Sequence, residues 1–251
     1  MADQIVLSEM TWSEVDEMLS ARPAVAIVPV GTTEAHGPHL PLSTECIVAA
    51  EVARRGAAKL KEHGVRSLVL PTVAYSVAER AADFAGTISI SPETLTSLLR
   101  DIAVAGAKKF RAVAFVNLHL EPGQVEAIKK GVAEATSAGA SACYVDITRK
   151  RWADTLGDQF DPDEHAGAID SSFMLAVDPD RVRERERISL PPVEEAGPAL
   201  KKGARTLLDA GAEDAYTGDP TAASREDGEN MLDALAEILS LSVMEHLGSK
   251  S

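Results

Sequence analysis

The chain has 251 residues, with 39 acidic side chains against 25 basic ones and a formal charge of −14. That field repels phosphate backbones and anionic lipid, which argues against nucleic-acid and membrane-surface partners, and no basic cluster offsets it, since Arg181 to Arg187 interleaves Glu184 and Glu186. With 45% hydrophobic and 25% charged residues, the chain can bury a core and fits neither disorder nor a fibre; its length suits one compact α/β domain over 1–251.

The first residues, MADQIVLSEM, show no basic segment followed by an apolar run, and no stretch is long and apolar enough to span a bilayer. Cys46 and Cys143 make neither a disulfide framework nor a zinc-binding CxxC pair. A reducing cytoplasm is the expected setting.

Ala24–Val30 is a valine-rich apolar run closed by Gly31. It reads as a strand buried on both faces. A polar, Pro/Gly-punctuated loop follows, with Ser43 and Thr44 placed to cap a helix from Glu45 to His63. Arg66–Leu70 reads as a second strand, and Ser91-Pro92 opens a helix to about Lys108. Arg111–Asn117 is a third strand, Gln124–Ser137 a helix and Ser141–Ile147 a fourth strand. Beyond Trp152 come a helix near Ala166–Val177, loops across 181–224 and a final helix around Glu226–Leu247. In that last helix Leu232, Leu235, Leu239 and Val243 form one apolar stripe.

Strands alternating with helices predict a three-layer α/β/α fold around a mostly parallel sheet. Such sheets place ligands beyond the carboxyl ends of their strands. Two loops there carry chemistry. The first, Gly31 to Leu42, holds Glu34 and His36 two residues apart, so that in an extended segment both point the same way, with His39 following and Glu45 at the mouth of the next helix. The second runs from Asn117 to Glu121 and repeats the pattern with His119 and Glu121. Carboxylates gathered this closely repel one another without a cation, so zinc or manganese supplies a physical reason for their proximity. His63 and His246 sit late in helices and read as ordinary helix-end residues.

The stretch GTTEAHGPHLPLSTE resembles the signature of the creatininase (creatinine amidohydrolase) family, and Phe84–Ser89, NLHLE at 117–121, EHAGAIDSS at 164–172 and the GDPTAASREDGENML stretch resemble its later segments in order. The resemblance implies a creatininase-like fold, a homo-oligomer such as a hexamer, and two divalent ions per subunit. It gives Glu34 and His119 to one ion, His36 and Glu121 to the other, and Glu45 to both. His165 matches the family's catalytic histidine, a proton carrier to the departing nitrogen, and Glu164 beside it is placed to orient the ring. Departures from the pattern are Glu45 for the usual aspartate, Ala168 for a common glutamate, Leu118 for a glycine and Arg80 for a histidine. Trp152 and Asn117 are candidate substrate contacts.

The function expected from these residues is hydrolysis of a C–N bond in a small amide substrate, cyclic and non-peptide first, by metal-activated water. Removal of formate from a formylamino-pyrimidine and trimming of a short peptide's C-terminal end are alternatives within the family. A metal-binding homologue without turnover is the alternative from a different class.

Overall fold

The computed structural model describes residues 5–157, 160–161 and 164–248; the first four residues of the N-terminal segment read above lie outside them. Four strands, β1 (Val25–Val30), β2 (Ser67–Val69), β3 (Ala112–Asn117) and β4 (Ala142–Val145), form a parallel sheet in the order β2-β1-β3-β4. The main helices beside them are α1 (Trp12–Ala21), α2 (Thr44–Glu62), α3 (Pro92–Gly106) and α4 (Pro122–Ser137). Short helices α5 (Ala153–Leu156), α7 (Glu184–Arg187) and α8 (Ala196–Lys201) punctuate the later chain, around the longer α6 (Ala168–Val177) and α9 (Arg225–Gly248).

The strand period of two sorts the core into layers. Val25 and Ile27 of β1, with Ala112, Ala114 and Val116 of β3, face α2, α6 and α9. Ala26, Val28 and Val30, with Val113 and Phe115, face α3 and α4. Every residue of β1 and β3 is buried, as expected for strands covered on both faces. The three-layer α/β/α architecture read from the sequence is therefore present. The stripe of Leu232, Leu235, Leu239 and Val243 is buried within the core, packed by α9 against α2 and α6.

Several boundaries differ for local reasons. Ser91 accepts a hydrogen bond from the Thr94 N–H at 3.2 Å and Pro92 takes the first helical position, as read. Ser43 makes no side-chain cap; Thr44 is already helical and donates its hydroxyl to the Pro41 carbonyl at 2.7 Å. The helix expected from Ala166 starts at Ala168, because Ala166 takes a left-handed φ of 52°. Helix α1 has no counterpart in the sequence reading: it buries no residue, so no strong apolar stripe announces it, yet Thr11 and Glu14 form a capping box at its start. Among the described residues no helix is long and apolar enough to cross a membrane.

Candidate metal centre

Strands β1 and β3 are parallel neighbours with Val30 and Asn117 in register, so the loops after them leave the same edge of the sheet side by side. This brings Glu34 and His36 together with His119 and Glu121. Gly31 lets the start of α2 close in: a Cβ there would stand 2.7 Å from the Cys46 backbone nitrogen. Glu45, one residue earlier on α2, is thereby carried into the same place. Thr32 donates its hydroxyl to Glu34 Oε1 at 2.8 Å. Asn117 donates its amide to the His119 carbonyl at 2.6 Å and accepts from Gln124 at 3.1 Å, which shapes the second loop.

The side chains are buried, with Glu34, His36, Glu45, His119 and Glu121 each at most 7% exposed. His119 Nδ1 lies 3.0 Å from Glu34 Oε1 and 3.5 Å from Glu45 Oε1, while His36 Nε2 is 3.8 Å from Glu45 Oε1. The His36 Nδ1–H donates to the Glu34 carbonyl at 3.2 Å, which turns the Nε2 lone pair inward. His36 Nε2, His119 Nε2 and Glu45 Oε2 are buried without a hydrogen-bond partner. Buried polar atoms are normally satisfied. A divalent cation fits the unpartnered His36 Nε2 and Glu45 Oε2 and the donor set of carboxylates and imidazoles, to which His119 presents Nδ1 while its Nε2 faces Glu121.

Three groups among the described residues bring ligand atoms within 4.8 Å of one another: Glu34, Glu45 and His119; His36, Glu45 and Asp170; and Glu34, His36 and His165. Glu45 belongs to two of them. The partner that the sequence reading gave to His36 was Glu121, but the carboxylate found beside His36 and Glu45 is Asp170. Glu121 instead accepts from the Glu79 and Arg80 N–H groups, both at 3.2 Å, and stands 3.6 Å from His119 Nε2. Asp170, which the sequence does not single out, lies inside a helix and outside the spacing-two loops. The available signal was an acidic residue five positions after His165, on the first turn of α6.

His165 stacks obliquely on His36 with ring centroids 4.4 Å apart. Its Nε2–H donates to the Ala35 carbonyl at 2.8 Å, and its backbone N–H and carbonyl both bond Thr217, at 2.9 and 2.8 Å. The ring is thus oriented from Ala35, which leaves Nδ1 outside that bond. Glu164, expected to orient that ring, directs Oε1 to the Ile169 N–H at 2.6 Å and packs on Gly218, where a Cβ would approach Oε2 to 2.9 Å. Nearby, His39 bonds Ser171 of α6 at 2.9 Å, tying the first loop to that helix.

The electrostatics follow from burial and crowding. Burial opposes ionisation of Glu34 and Glu45, yet the His119 ring beside them wins: Glu34 is held well below the usual carboxylate range and Glu45 at about 2. For His36 and His119 burial favours the neutral ring, but the facing carboxylates dominate, raising His36 to about 9 and His119 well above its ordinary value. Burial pushes Asp170 up to about 6 and Glu164 to about 7. Burial and then the His36 charge lower His165 to about 4, so its ring is neutral at neutral pH.

The site opens on a hollow of about 60 Å³ lined by Glu34, Glu45, Arg80, His119, His165 and Phe173, among others. A second hollow of about 670 Å³ shares Ile147 and Phe160 with it. Trp152 and Asn117, the expected substrate contacts, line neither. The Trp152 indole belongs to the core and carries the Arg151 guanidinium 4.1 Å above its ring, and Asn117 is fully buried and spent on loop shape.

A parallel α/β/α sheet bearing buried carboxylates and imidazoles at its strand ends defines a three-layer fold with a candidate metal centre. The chain belongs to the creatininase family: the profile described as creatinine amidohydrolase matches residues 8–242. The mycofactocin precursor peptide peptidase of Mycobacterium tuberculosis (strain H37Rv) is 32% identical over 239 residues, covering 92% of this chain and 89% of that protein. The peptidase of the same name from Mycolicibacterium smegmatis is 33% identical over 210 residues, covering 82% and 79%. Creatinine amidohydrolase of Pseudomonas putida is 27% identical, covering 98% of both chains. In fold, the chain superposes on a manganese creatininase with a TM-score of 0.72 at 23% identity, covering 96% of this chain and 98% of the other. This protein is a creatininase-family hydrolase, and relatives of it are named both as amidohydrolase and as peptidase.

Proposed function

We propose that this hydrolase cleaves the amide C–N bond of a short peptide with the help of two divalent ions, zinc or manganese. The observation that carries the reading is the pair of unpartnered buried atoms His36 Nε2 and Glu45 Oε2 beside Glu34 and Asp170, with His119 Nδ1 3.0 Å from Glu34 Oε1. Glu34, Glu45 and His119 would hold one ion and His36, Glu45 and Asp170 the other, with Glu45 shared. Glu121 flanks His119 and fixes that ring. When bound, the ions supply an acidified water and a Lewis acid for the scissile carbonyl.

The chain's own residues do the rest. His165, neutral and oriented through Ala35, takes a proton at Nδ1 from the attacking water and returns it to the departing nitrogen. Water adds to the carbonyl carbon, the C–N bond breaks, and a carboxylic acid and an amine result.

A peptide is favoured over the small cyclic amide expected from sequence, because a larger hollow lies next to the first, with Ile147 and Phe160 lining both. Two relatives named as peptide peptidases, at 32% and 33% identity, support the same choice. The cyclic amide remains the second reading, favoured by the small inner hollow. The test is hydrolysis of short peptides and of creatinine by the metal-loaded chain, with and without chelator, beside His165→Ala. Peptide cleavage lost on chelation and reduced about 100-fold or more in His165→Ala is expected. Turnover of creatinine alone, or peptide cleavage insensitive to chelator, overturns the proposal.

A further inference from the structure

His39 follows His36 by three residues in the first loop and takes no part in the ligand set or the proton path. Its ring, fully buried, meets the equally buried hydroxyl of Ser171 at 2.9 Å. The ring is held from both sides. Gly37 turns through a φ of 62°, and a Cβ there would stand 2.6 Å from His39 Nδ1, so only glycine lets the ring fold back against the loop. Tyr216 meets it edge-on, with ring centroids 6.3 Å apart. The His39 carbonyl also accepts from the Arg183 N–H at 2.9 Å, beyond the end of α6.

We infer that His39 and Ser171 are positioning residues, whose bond holds His36 and Asp170 at the separation that one ion requires. Ser171 follows Asp170 directly on α6. The Asp170 carboxylate accepts from the Ala166 N–H at 2.7 Å, a bond within its own segment, so it travels with α6. His36 travels with the first loop. The bond from His165 to the Ala35 carbonyl ties that loop to the chain ahead of α6, and the bond from His39 ties it to the helix itself, one residue from the ligand. Ligands on two separate elements bind a cation tightly only when the elements are fixed beforehand, and outer partners of this kind are worth roughly 10–100-fold in metal affinity. The group of Glu34, Glu45 and His119 takes nothing from α6, so the bond serves one ion and not the other.

This inference rests on the two-ion reading, and its test separates the two. The chelated chain is titrated with manganese by calorimetry, and bound ions are counted by elemental analysis. The wild type is expected to take up two ions and Asp170→Asn one. Ser171→Ala should bind one ion as the wild type does and the other about tenfold more weakly. In the Asp170→Asn background Ser171→Ala should change nothing, because the ion it serves is already lost. His39→Phe, which fills the space of the ring without the bond, should reproduce the effect of Ser171→Ala. Ser172→Ala separates positioning from packing: that hydroxyl is also buried but accepts from the Ser224 N–H at 3.0 Å, just ahead of α9. It should lower the Tm of the chelated chain and weaken neither ion. Two ions bound at wild-type affinity in Ser171→Ala and His39→Phe, or an equal loss in Ser172→Ala, overturns the role of the bond while leaving the two-ion reading standing. A wild type that takes up one ion or none, or an Asp170→Asn variant that keeps two, overturns both.

Discussion

Loading the centre with metal should expel protons, and the geometry sets how many. Without a cation, the carboxylates of Glu34 and Glu45 draw protons onto the facing rings, so that His36 titrates near 9 and His119 well above its ordinary value. At pH 7 both rings are almost fully protonated, and each must give up a proton before its lone pair can bind an ion. About two protons should therefore leave per chain at pH 7, and fewer as pH rises through 9. Displacing the proton of His36 alone, two units below its midpoint, costs about 3 kcal/mol, or roughly 100-fold in apparent affinity. The slope between pH 6 and 7 should approach about 100-fold per unit when both rings compete. Calorimetric titration of the chelated chain with manganese in two buffers of different ionisation enthalpy reads the proton count directly. Release of less than about half a proton, with affinity flat across pH 6 to 8, would show that these imidazoles are not ligands.

The same crowding gives the metal-free chain a stability that depends on pH. The folded midpoint of His36 is raised, so its contribution is complete below about 6.5 and is lost as pH rises through about 9. Asp170, raised to about 6, acts in the same direction over a lower range. The Tm of the chelated chain should fall from pH 6.5 to 9, whereas added metal should remove most of the decline; parallel curves with and without chelator contradict this. A separate prediction concerns the left-handed Ala166, next to His165, with φ of 52°. Ala166→Gly removes a Cβ penalty of about 1–2 kcal/mol against an entropic cost of about 0.5–1 kcal/mol and the loss of a fully buried methyl worth about 0.8 kcal/mol, so chemical denaturation should show a change of no more than about 1 kcal/mol in either direction. A loss greater than 1 kcal/mol would mean that the backbone there is not strained.

The layers of the fold were legible because β1 and β3 are apolar on both faces, and the loops of the site because Glu34, His36, His119 and Glu121 repeat one spacing after two strands. What the sequence hid was register. Only the pairing of Val30 with Asn117 shows that these loops emerge together, and only the approach of α2 over Gly31 brings Glu45 in. Asp170 escaped because a helix turn, rather than strand alternation, aims it at His36. Glu121 carries the residue type of a ligand, and the sequence does not show that two backbone N–H groups at Glu79 and Arg80 engage its carboxylate, a contact from a segment some forty residues away. Trp152 was misplaced for a simpler reason: a tryptophan near a site is equally suited to core packing, and here its ring packs in the core.

If side chains from separate loops meet in order to hold metal, the number of ions bound per chain records it. Elemental analysis of the chelated and reconstituted chain should give about two divalent ions per wild-type chain and fewer than about one in Glu45→Ala, since Glu45 is shared between both ligand groups. A wild-type chain that retains no ion, or a Glu45→Ala chain loaded as fully as the wild type, contradicts the account.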